Sequence, residues 1–449
     1  MEKPFPASSF HPPDLGSAAA STYPAWVLLD RNAYIADREN GTTARAISRT
    51  GHTVKVTFCL VDPPAVSHFC VAGLVEHLAE EPRVVSSEKD LVLLCFCFTV
   101  GGCCHGEYFI YKAGRGKPSL VPIPASPPET TNTLCVSLLP SDDGEFILAD
   151  LFVTTTLGQY DLTIFSSKTA KWTTRRLEVQ FSLEIRAVDL LIVPHKVIAL
   201  GGGSVGWVDL WRGIIVCNLL EIEEEPLIYF IPLPKPDFNL PRTGNPKPVR
   251  DVICYNDGVI KLVEMEHYFR DEVRRSKRFK VTEDLDRADR MYDREILLLR
   301  DEEYLKEPGE QIMRVPDGWK VRTCYRHTSW DHWRKGHTVH VDDVLAKPSV
   351  LLPQMWDGKF GRWTLRNLTT AYPTLGLNGD DVVYLMSKVA YDDKNVWIVG
   401  VNLGNKTVEI LEPYGAERAV VDMPTPKPQV TINIDPHRCP IFHCPCILI

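Results

Sequence analysis

Ser204 lies in a segment, GGSVG, that has the G-x-S-x-G form of a hydrolase nucleophile elbow. Such an elbow needs a strand before the serine and a helix directly after it. The preceding VIAL is typical of a strand, but the following GWVDLWRGIIVC is rich in aromatic and β-branched residues that disfavour a helix. Asp251 and His267 follow in an order that a Ser-Asp-His triad allows. We therefore favour a glycine-rich β-turn at Ser204 and keep serine hydrolysis as an alternative.

Four histidines crowd into the segment RHTSWDHWRKGHTVHVDD: His327, His332, His337 and His340. A zinc site would need three or four ligands to converge at about 2.0 to 2.2 Å from the ion. On a strand, His337 and His340 would face opposite sides, because their separation is odd. We interpret them as surface or half-buried histidines and keep metal binding as an alternative. No dinucleotide, P-loop, zincin or kinase motif is present, so no cofactor is predicted.

Several cysteines could carry redox or metal chemistry. Cys95 and Cys97 share one face of an apolar segment, and Cys103 and Cys104 lie beside glycines and His105. No CxxC spacing accompanies them. The prediction is therefore a set of buried thiols that act as small hydrophobic side chains.

The C-terminal residues HRCPIFHCPCILI differ in composition from the rest of the chain. Cys446 begins a C-a-a-X sequence, the form of a prenyl acceptor, and Cys444 is a possible second lipid site. The basic cluster that usually assists such an anchor is missing, so an accidental match is the competing interpretation. Because Pro424, Pro426 and Pro428 oppose strand pairing, we expect residues 423–449 to form a linker and a tail that pack poorly.

Composition narrows the function classes. The 449 residues carry a formal net charge of -8, which argues against nucleic-acid binding through clustered basic residues. No run reaches the ~20 apolar residues of a membrane span, and residues 1–20 resemble a disordered lead more than a secretory signal. The 13 cysteines then indicate reduced thiols in a soluble protein of the cytoplasm or nucleus.

Repeated strand–turn–strand patterns predict an all-β fold. Asp142-Asp143-Gly144 and Asn256-Asp257-Gly258 separate apolar segments and supply the turn chemistry of hairpins. Three further hairpins are predicted at 108–123, 160–179 and 396–411.

A β-propeller of six to eight blades fits residues 21–422, at about 40 to 50 residues per blade. A pair of β-sandwiches is the alternative architecture. From Arg270 to Glu310, 24 of 41 residues are charged, which predicts an exposed insertion between blade strands.

The segment GWVDLWRGIIVCNLL, residues 206–220, carries a family resemblance, together with YPAWVLLD, VSHFCV, YDLTIFSS and GDDVVYLMSK. These segments resemble the plant domain-of-unknown-function 1618 family, which is expanded in grasses and whose core region would cover residues 206–350. The family has no established activity, so the resemblance leaves function open. Trp207, Asp209 and Trp211 are predicted structural residues, with both tryptophans buried on one strand.

We expect a non-enzymatic interaction protein that presents its loops to an unknown protein partner; its oligomeric state is not predicted. This expectation rests on analogy with other propellers. The alternatives are a hydrolase that uses Ser204, a metal-binding protein that uses the histidines between His327 and His340, and a carbohydrate-binding propeller that uses Trp330 and Trp333.

Overall fold

The protein is almost entirely β-strand. A computed structural model describes residues 5–15, 27–62, 65–73, 77–100, 103–114, 117–125, 135–179, 192–221, 228–236, 244–275, 310–346, 355–357, 362–366, 368–376, 379–389, 396–414 and 446–448. Within these ranges two 3-10 turns are described in full, Ala7–Phe10 and Val341–Asp343, and there is no α-helix. The prediction of an all-β fold is confirmed.

Six sheets of four or more strands follow one another in the described part of the chain, and we number them blades 1 to 6. Blade 1 contains β1 (Leu28–Asp30), β2 (Tyr34–Ile35), β3 (Ala44–Ile47), β4 (Thr53–Cys59) and β5 (Val66–Ala72). Blade 2 contains β6 (Arg83–Glu88), β7 (Leu91–Val100), β8 (Cys103–Lys112) and β9 (Ser119–Pro122). Blade 3 contains β10 (Ser137–Pro140), β11 (Phe146–Val153), β12 (Gln159–Ser166) and β13 (Lys171–Glu178).

The second half of the described chain supplies the remaining blades. Blade 4 contains β14 (Lys196–Gly201), β15 (Ser204–Asp209), β16 (Gly213–Asn218) and β17 (Ile228–Pro232). Blade 5 contains β18 (Arg250–Cys254), β19 (Val259–Arg275), β20 (Glu310–His327) and β21 (Arg334–His340). Blade 6 contains β22 (Leu345–Ala346) and, after a small ribbon of β23 (Trp356–Asp357) and β24 (Arg362–Trp363), β25 (Thr369–Leu375), β26 (Val382–Lys388), β27 (Val396–Asn402) and β28 (Thr407–Tyr414).

Consecutive blades pack face to face. Blades 2 to 5 are antiparallel meanders whose strands pair in sequence order. A separate cluster of buried apolar side chains fills each space between neighbouring blades, from blades 1 and 2 to blades 5 and 6. One strand from each of blades 2 to 6 contacts the next in series, so these are the inner strands around a common axis: β6, β10, β14, β18 and β25. This arrangement is a six-bladed β-propeller, at the lower end of the predicted range.

The sequence of blade 4 is almost continuously apolar because other blades pack on both of its faces. Trp207 and Ile215 are cross-strand partners on one face and pack against blade 3. Val208 and Ile214, the next pair along, point the other way and pack against blade 5. Both faces of the sheet are therefore buried, and the polar alternation of a half-exposed strand is absent from this blade.

The hairpins predicted from turn residues are confirmed. Gly144 connects β10 to β11 and Gly258 connects β18 to β19, with φ of +84° and +80° respectively. These left-handed values cost glycine little, which is why Asp-Gly marks such turns. The other three predicted hairpins correspond to β8–β9, β12–β13 and β27–β28.

Both ends of the described chain lie against blade 1. Phe5 and Ser9, within the predicted disordered lead, are buried, and Phe5 joins the core between blades 1 and 2. Near the other end, Cys446–Leu448 forms β29, which pairs antiparallel with Leu28–Asp30 of β1. A short apolar segment can complete an open strand edge in this way, and the poor packing of the tail as a whole stays a prediction. The rest of the tail, 415–445, lies outside the described residues.

The charged segment predicted as an insertion is described only at its two ends. Residues 270–275 continue β19 and Glu310 starts β20, so a 17-residue and an 18-residue strand pair as one long hairpin. The neighbouring strands β18 and β21 pair only with the part of this hairpin nearer the ring. Residues 276–309, which hold most of the predicted insertion, lie outside the described residues.

Candidate binding site on the propeller axis

A cavity of about 500 Å³ follows the axis of the propeller. Its walls come from the inner strands β6, β14, β18 and β25 and from Arg31, which follows β1. They extend from His195, just before β14, to Asn256, in the turn after β18. Because these strands are distant in sequence, the cavity exists only in the folded ring.

The inner strands are irregular where they border this cavity. The pairing register shifts between Val84 and Ser86 in β6, between Ala199 and Gly201 in β14, and between Ala371 and Thr374 in β25. Such bulges re-aim side chains and are common beside binding and catalytic sites. Three of the four strands that line the cavity are thus distorted at the lining itself.

Tyr372 marks the strongest of these irregularities. Its φ is +56°, a left-handed conformation that a bulky residue rarely adopts. Its backbone N–H donates to the carbonyl of Pro248 at 2.9 Å, which joins blade 6 to the entry of blade 5. Strain of this kind persists where the surrounding structure holds it, and it concentrates at ligand sites.

The lining is cationic although the whole chain is acidic. Five basic side chains and two carboxylates border the cavity: Arg31, Lys89, Lys196, Lys247 and Arg250 against Glu88 and Asp251. Burial raises the pKa of Glu88, and nearby Lys89 only partly offsets this effect. The lining therefore carries more basic than acidic side chains, whereas the chain as a whole is acidic.

Two of these cations are held by internal ion pairs. Lys196 Nζ lies 2.6 Å from Asp251 Oδ1. Arg250 is almost fully buried and pairs with Glu264 at 2.9 Å, while donating to the carbonyls of Leu210 and Pro234 at 2.6 and 2.7 Å. These contacts join blades 4 and 5 and fix the position of positive charge at the axis.

Two hydroxyls in the lining are buried and have no hydrogen-bond partner among the described residues. They belong to Tyr255, in the turn after β18, and to Ser86, at the bulge of β6. The pKa of Tyr255 is raised by burial and then by four nearby carboxylates, so its hydroxyl remains a donor at neutral pH. A buried donor left without an acceptor costs about 1–3 kcal/mol.

His195 is neutral in this cavity. Burial lowers its pKa to about 4, against a smaller opposite effect of Asp209. Its Nδ1 accepts a hydrogen bond from the backbone N–H of Leu210 at 3.3 Å. The imidazole is therefore engaged in holding the turn after β15.

A second cavity of about 490 Å³ lies between blades 5 and 6 and shares Tyr255 and Asn256 with the axial one. Asp381 binds Lys261 Nζ at 2.9 Å and His337 Nε2 at 3.1 Å. Burial alone would raise the pKa of Asp381, but Lys261 and then His337 outweigh it and lower that pKa. Tyr255 thus lies between the axial cavity, which has a cationic lining, and the carboxylate of Asp381, which is already paired.

Ser204 is the first residue of β15, directly after the two-glycine turn Gly202–Gly203. The favoured interpretation as a glycine-rich β-turn matches this geometry, and β15 continues as a strand where an elbow would start a helix. His267, in blade 5, donates from Nε2 to the carbonyl of Thr370 at 2.6 Å, and Asp251 accepts from Lys196. No hydrogen bond joins Ser204 to a histidine among the described residues.

The four clustered histidines have four different sets of neighbours. His327 contacts Ser329 Oγ and the carbonyl of Asp257, and His332 contacts Asp331. His337 binds Asp381, and His340 accepts from the backbone N–H of Asp342. The structure does not bring these imidazoles together as a ligand set.

Trp207 and Trp211 are both buried, but they do not lie on one strand. Trp207 is in β15 and donates from Nε1 to the carbonyl of Cys135 at 3.2 Å. The strand ends at Asp209, whose Oδ1 accepts from the backbone N–H of Trp211 and Arg212 at 2.9 and 3.2 Å. The prediction of a shared strand is wrong, because this carboxylate turns the chain before Trp211.

The tryptophans proposed for sugar stacking are engaged in other contacts. Trp333 donates from Nε1 to the carbonyl of Pro232 at 2.9 Å and so ties blade 5 to blade 4. The guanidinium of Arg334 lies 4.2 Å from the ring centre of Trp330, which covers one face of that indole. Neither ring is a free stacking platform on both faces.

The structure describes the side chains of some of the predicted cysteines and only the backbone of others. Cys95 and Cys97 are buried and pack in the core between blades 2 and 3, as expected for thiols on one face of a strand. The backbone of Cys103 and Cys104 lies in β8, and that of Cys446 lies in β29. Cys444 lies outside the described residues.

Sequence reasoning missed the residues of the axial cavity. Tyr255 and Ser86 carry no motif, and their role depends on a register shift and on the approach of distant blades. The one available signal was the turn predicted at 256–258, which places Tyr255 at the end of an inner strand.

In the part of the chain that the structure describes, no helix has the length and apolar character needed to cross a membrane.

The fold and the site define a six-bladed β-propeller with a polar axial cavity. Residues 207–384 match the family model described as "Protein of unknown function (DUF1618)", which supports the resemblance drawn from the WVDLW segment. The matched residues make up less than half of the chain. Among curated proteins none matches the chain.

Solved structures with some likeness include the β-propeller domain of the Trilobed protease from Pyrococcus furiosus, at 10% identity and a TM-score of 0.27, covering 73% of this chain and 81% of that one. An alpha-L-arabinanase from Penicillium chrysogenum shows 10% identity and a TM-score of 0.26, with coverage of 83% and 82%. Polysaccharide lyase Uly1 shows 10% identity and a TM-score of 0.29, with coverage of 89% and 83%. Likeness at this level says nothing about what the present chain binds.

Proposed function

We propose that this protein is a non-enzymatic interaction module that binds an acidic peptide segment of a partner protein in the axial cavity. The observation that carries the proposal is the lining, in which an excess of cationic side chains surrounds two buried hydroxyls that find no acceptor among the described residues. Carboxylates and peptide carbonyls accept hydrogen bonds without donating them. An acidic segment therefore supplies the groups that this lining needs.

The size of the cavity suits a short segment. Its volume of about 500 Å³ falls within the range of ordinary ligand pockets. The internal pairs of Lys196 and Arg250 hold the cations in place before a ligand arrives, which lowers the entropic cost of binding.

The state of His195 favours binding over catalysis at this site. A general base at neutral pH would need a pKa near 7 and a free nitrogen near a nucleophile. His195 has a pKa of about 4, and its Nδ1 is occupied by a backbone N–H. We assign it a structural role.

We also propose that the whole chain belongs to the DUF1618 family of plants and acts in the cytoplasm or nucleus. Support for the family comes from the resembling segments YPAWVLLD and VSHFCV, which lie outside the matched residues. Support for a reducing compartment comes from thiols such as Cys135 and Cys217, which are buried and not in disulfides.

Peptide display tests the binding proposal. A library of random peptides should yield binders enriched in Asp and Glu, and added salt should weaken their binding. Tyr255→Phe should reduce the affinity of a selected peptide about tenfold, the effect of one lost hydrogen bond of about 1.4 kcal/mol. Tyr229→Phe is the matched control, because Tyr229 is 37% exposed on β17, the last strand of blade 4.

Two results would refute the proposal. One is a set of binders without acidic enrichment whose affinity is the same for Tyr255→Phe and the parent protein. The other is turnover of a substrate by the purified protein together with labelling of Ser204 by a fluorophosphonate, which would restore the hydrolase alternative.

A further inference from the structure

Three side chains that are good ligands for transition metals meet on one face of blade 1. Cys59 is the last residue of β4, and His68 and Cys70 lie on β5. Cys59 and His68 are direct cross-strand partners, and Cys70 is two residues further along on the same face. The two Sγ atoms and one imidazole nitrogen all lie within 4.8 Å of one another.

The pleat of the sheet fixes this arrangement. Phe58 and Phe69, which alternate with the three candidate ligands, are buried in the core shared with blade 2. Their packing forces Cys59, His68 and Cys70 to the opposite face. A one-residue slip of register would place the phenyl rings where the ligands now lie, so the core that stabilises the blade also holds the ligands together.

The separation of the ligand atoms is close to that of a coordinated ion. In a tetrahedral site with Zn–S near 2.3 Å and Zn–N near 2.0 Å, neighbouring ligand atoms are about 3.5–3.8 Å apart. Because the three atoms lie within 4.8 Å of one another, contraction to this geometry requires movements of about 1 Å at most.

His68 adds an independent observation. Its side chain is buried, with 3% exposure, and its Nδ1 has no hydrogen-bond partner in the part of the chain that the structure describes. A buried polar atom of this kind calls for a ligand, a proton or a water. The ring of Tyr34 packs edge-on at 5.2 Å and restricts the orientation of the imidazole.

We propose that Cys59, His68 and Cys70 bind one zinc ion, with a water molecule completing the coordination on the partly exposed side of Cys59. Two thiolates neutralise the charge of the ion, which permits burial, and sulfur with imidazole is the donor set that selects zinc over magnesium or calcium. The ion joins β4 to β5 and is distinct from the axial cavity, whose lining contains none of the three residues.

In sequence the pattern is C-x8-H-x-C, whose H-x-C part is meaningful only once the segment is known to be a strand.

Metal content of the full-length chain tests the proposal. Protein purified under reducing conditions, supplied with zinc and dialysed should retain about one zinc per chain. Cys59→Ser, Cys70→Ser and His68→Gln should each lower zinc affinity at least tenfold. Cys254→Ser, which alters another half-buried thiol in a different blade, should leave the zinc content unchanged.

Cobalt substitution checks the ligand identity and controls for misfolding. The parent should show thiolate-to-cobalt charge-transfer absorption, and Cys59→Ser should weaken it while its circular dichroism remains that of the parent. The proposal is refuted if the folded parent retains neither metal. It is equally refuted if the parent under these conditions contains a Cys59–Cys70 disulfide, or if all variants retain zinc as the parent does.

Discussion

Asp209→Ala should be among the most destabilising single substitutions in this protein, because one fully buried carboxylate holds the turn that follows β15. Oδ1 accepts from the backbone N–H of Trp211 at 2.9 Å and of Arg212 at 3.2 Å. Oδ2 accepts from the backbone N–H of Val193 at 3.1 Å and from Arg212 Nη1 at 3.0 Å. The carboxylate thus connects the segment before β14 to the turn after β15.

The expected loss of stability follows from the backbone N–H groups that lose their acceptor. The N–H groups of Val193 and Trp211 lose their acceptor, whereas the N–H of Arg212 also bonds the backbone carbonyl of Asp209 at 3.1 Å. An orphaned buried donor such as the N–H of Trp211 costs about 1–3 kcal/mol. Val193 is 43% exposed and Arg212 is 23% exposed, so both can recruit water and their losses are at the lower end of that range. The free energy of unfolding should fall by about 3–5 kcal/mol.

Two variants calibrate this value in urea unfolding followed by tryptophan fluorescence. Asp209→Asn keeps the acceptor for Trp211 and should cost about 1–3 kcal/mol. Asp161→Ala removes an ion pair in which Arg176 contacts both carboxylate oxygens at 2.8 Å, but Arg176 is 63% exposed. Exposed pairs contribute about 0–1 kcal/mol. If Asp209→Ala costs no more than Asp161→Ala, the turn does not depend on the carboxylate and the reasoning fails.

Three further substitutions test the fold and its pH dependence. Trp207→Ala should lower the free energy of unfolding by about 3–5 kcal/mol, because its indole is fully buried between blades 3 and 4; an unchanged urea midpoint would contradict this. Gly213→Ala should lower the melting temperature strongly, since a Cβ would lie 2.3 Å from the ring of Phe230, whereas Gly404→Ala, with contacts of 3.4 Å or more, should change it little; equal shifts would count against the packing argument. His195→Asn should flatten the fall in stability as pH drops from 6.5 to about 4. In that window the unfolded chain takes up a proton that the buried imidazole refuses, a loss of up to about 3 kcal/mol for the parent, and identical pH profiles would show that His195 does not titrate in this way.

The sequence predicted the local parts of the fold well. Asp-Gly turns and two-glycine turns require backbone conformations that few other residues adopt, so Gly144, Gly258 and the GGGS turn located hairpins without knowledge of the ring. Hydrophobic alternation then predicted strands on both sides of each turn. The length of the chain, at about 40 to 50 residues per blade, limited the number of blades to six to eight.

The failures arose where a side chain or a distant strand decides the structure. Trp211 was assigned to a strand because a two-residue period cannot reveal that Asp209 caps its end. The pairing of Leu28–Asp30 with Cys446–Leu448 joins segments from opposite ends of the described chain, which no local pattern encodes. Tyr255 and the Cys59–His68–Cys70 cluster likewise gain their chemical meaning only from burial and register.

The long hairpin of β19 and β20 implies that blade 5 does not open as a single unit. Beyond about Tyr268 each strand pairs only with the other, and the ribbon continues to Arg275 and Glu310, an extension of roughly 25 Å at about 3.4 Å per residue. A two-stranded ribbon is marginally stable by itself. The amide protons of the ribbon should therefore exchange with solvent through local opening. Those of β19 between Val259 and Glu264 should exchange far more slowly, because they become accessible only when blade 5 as a whole comes apart.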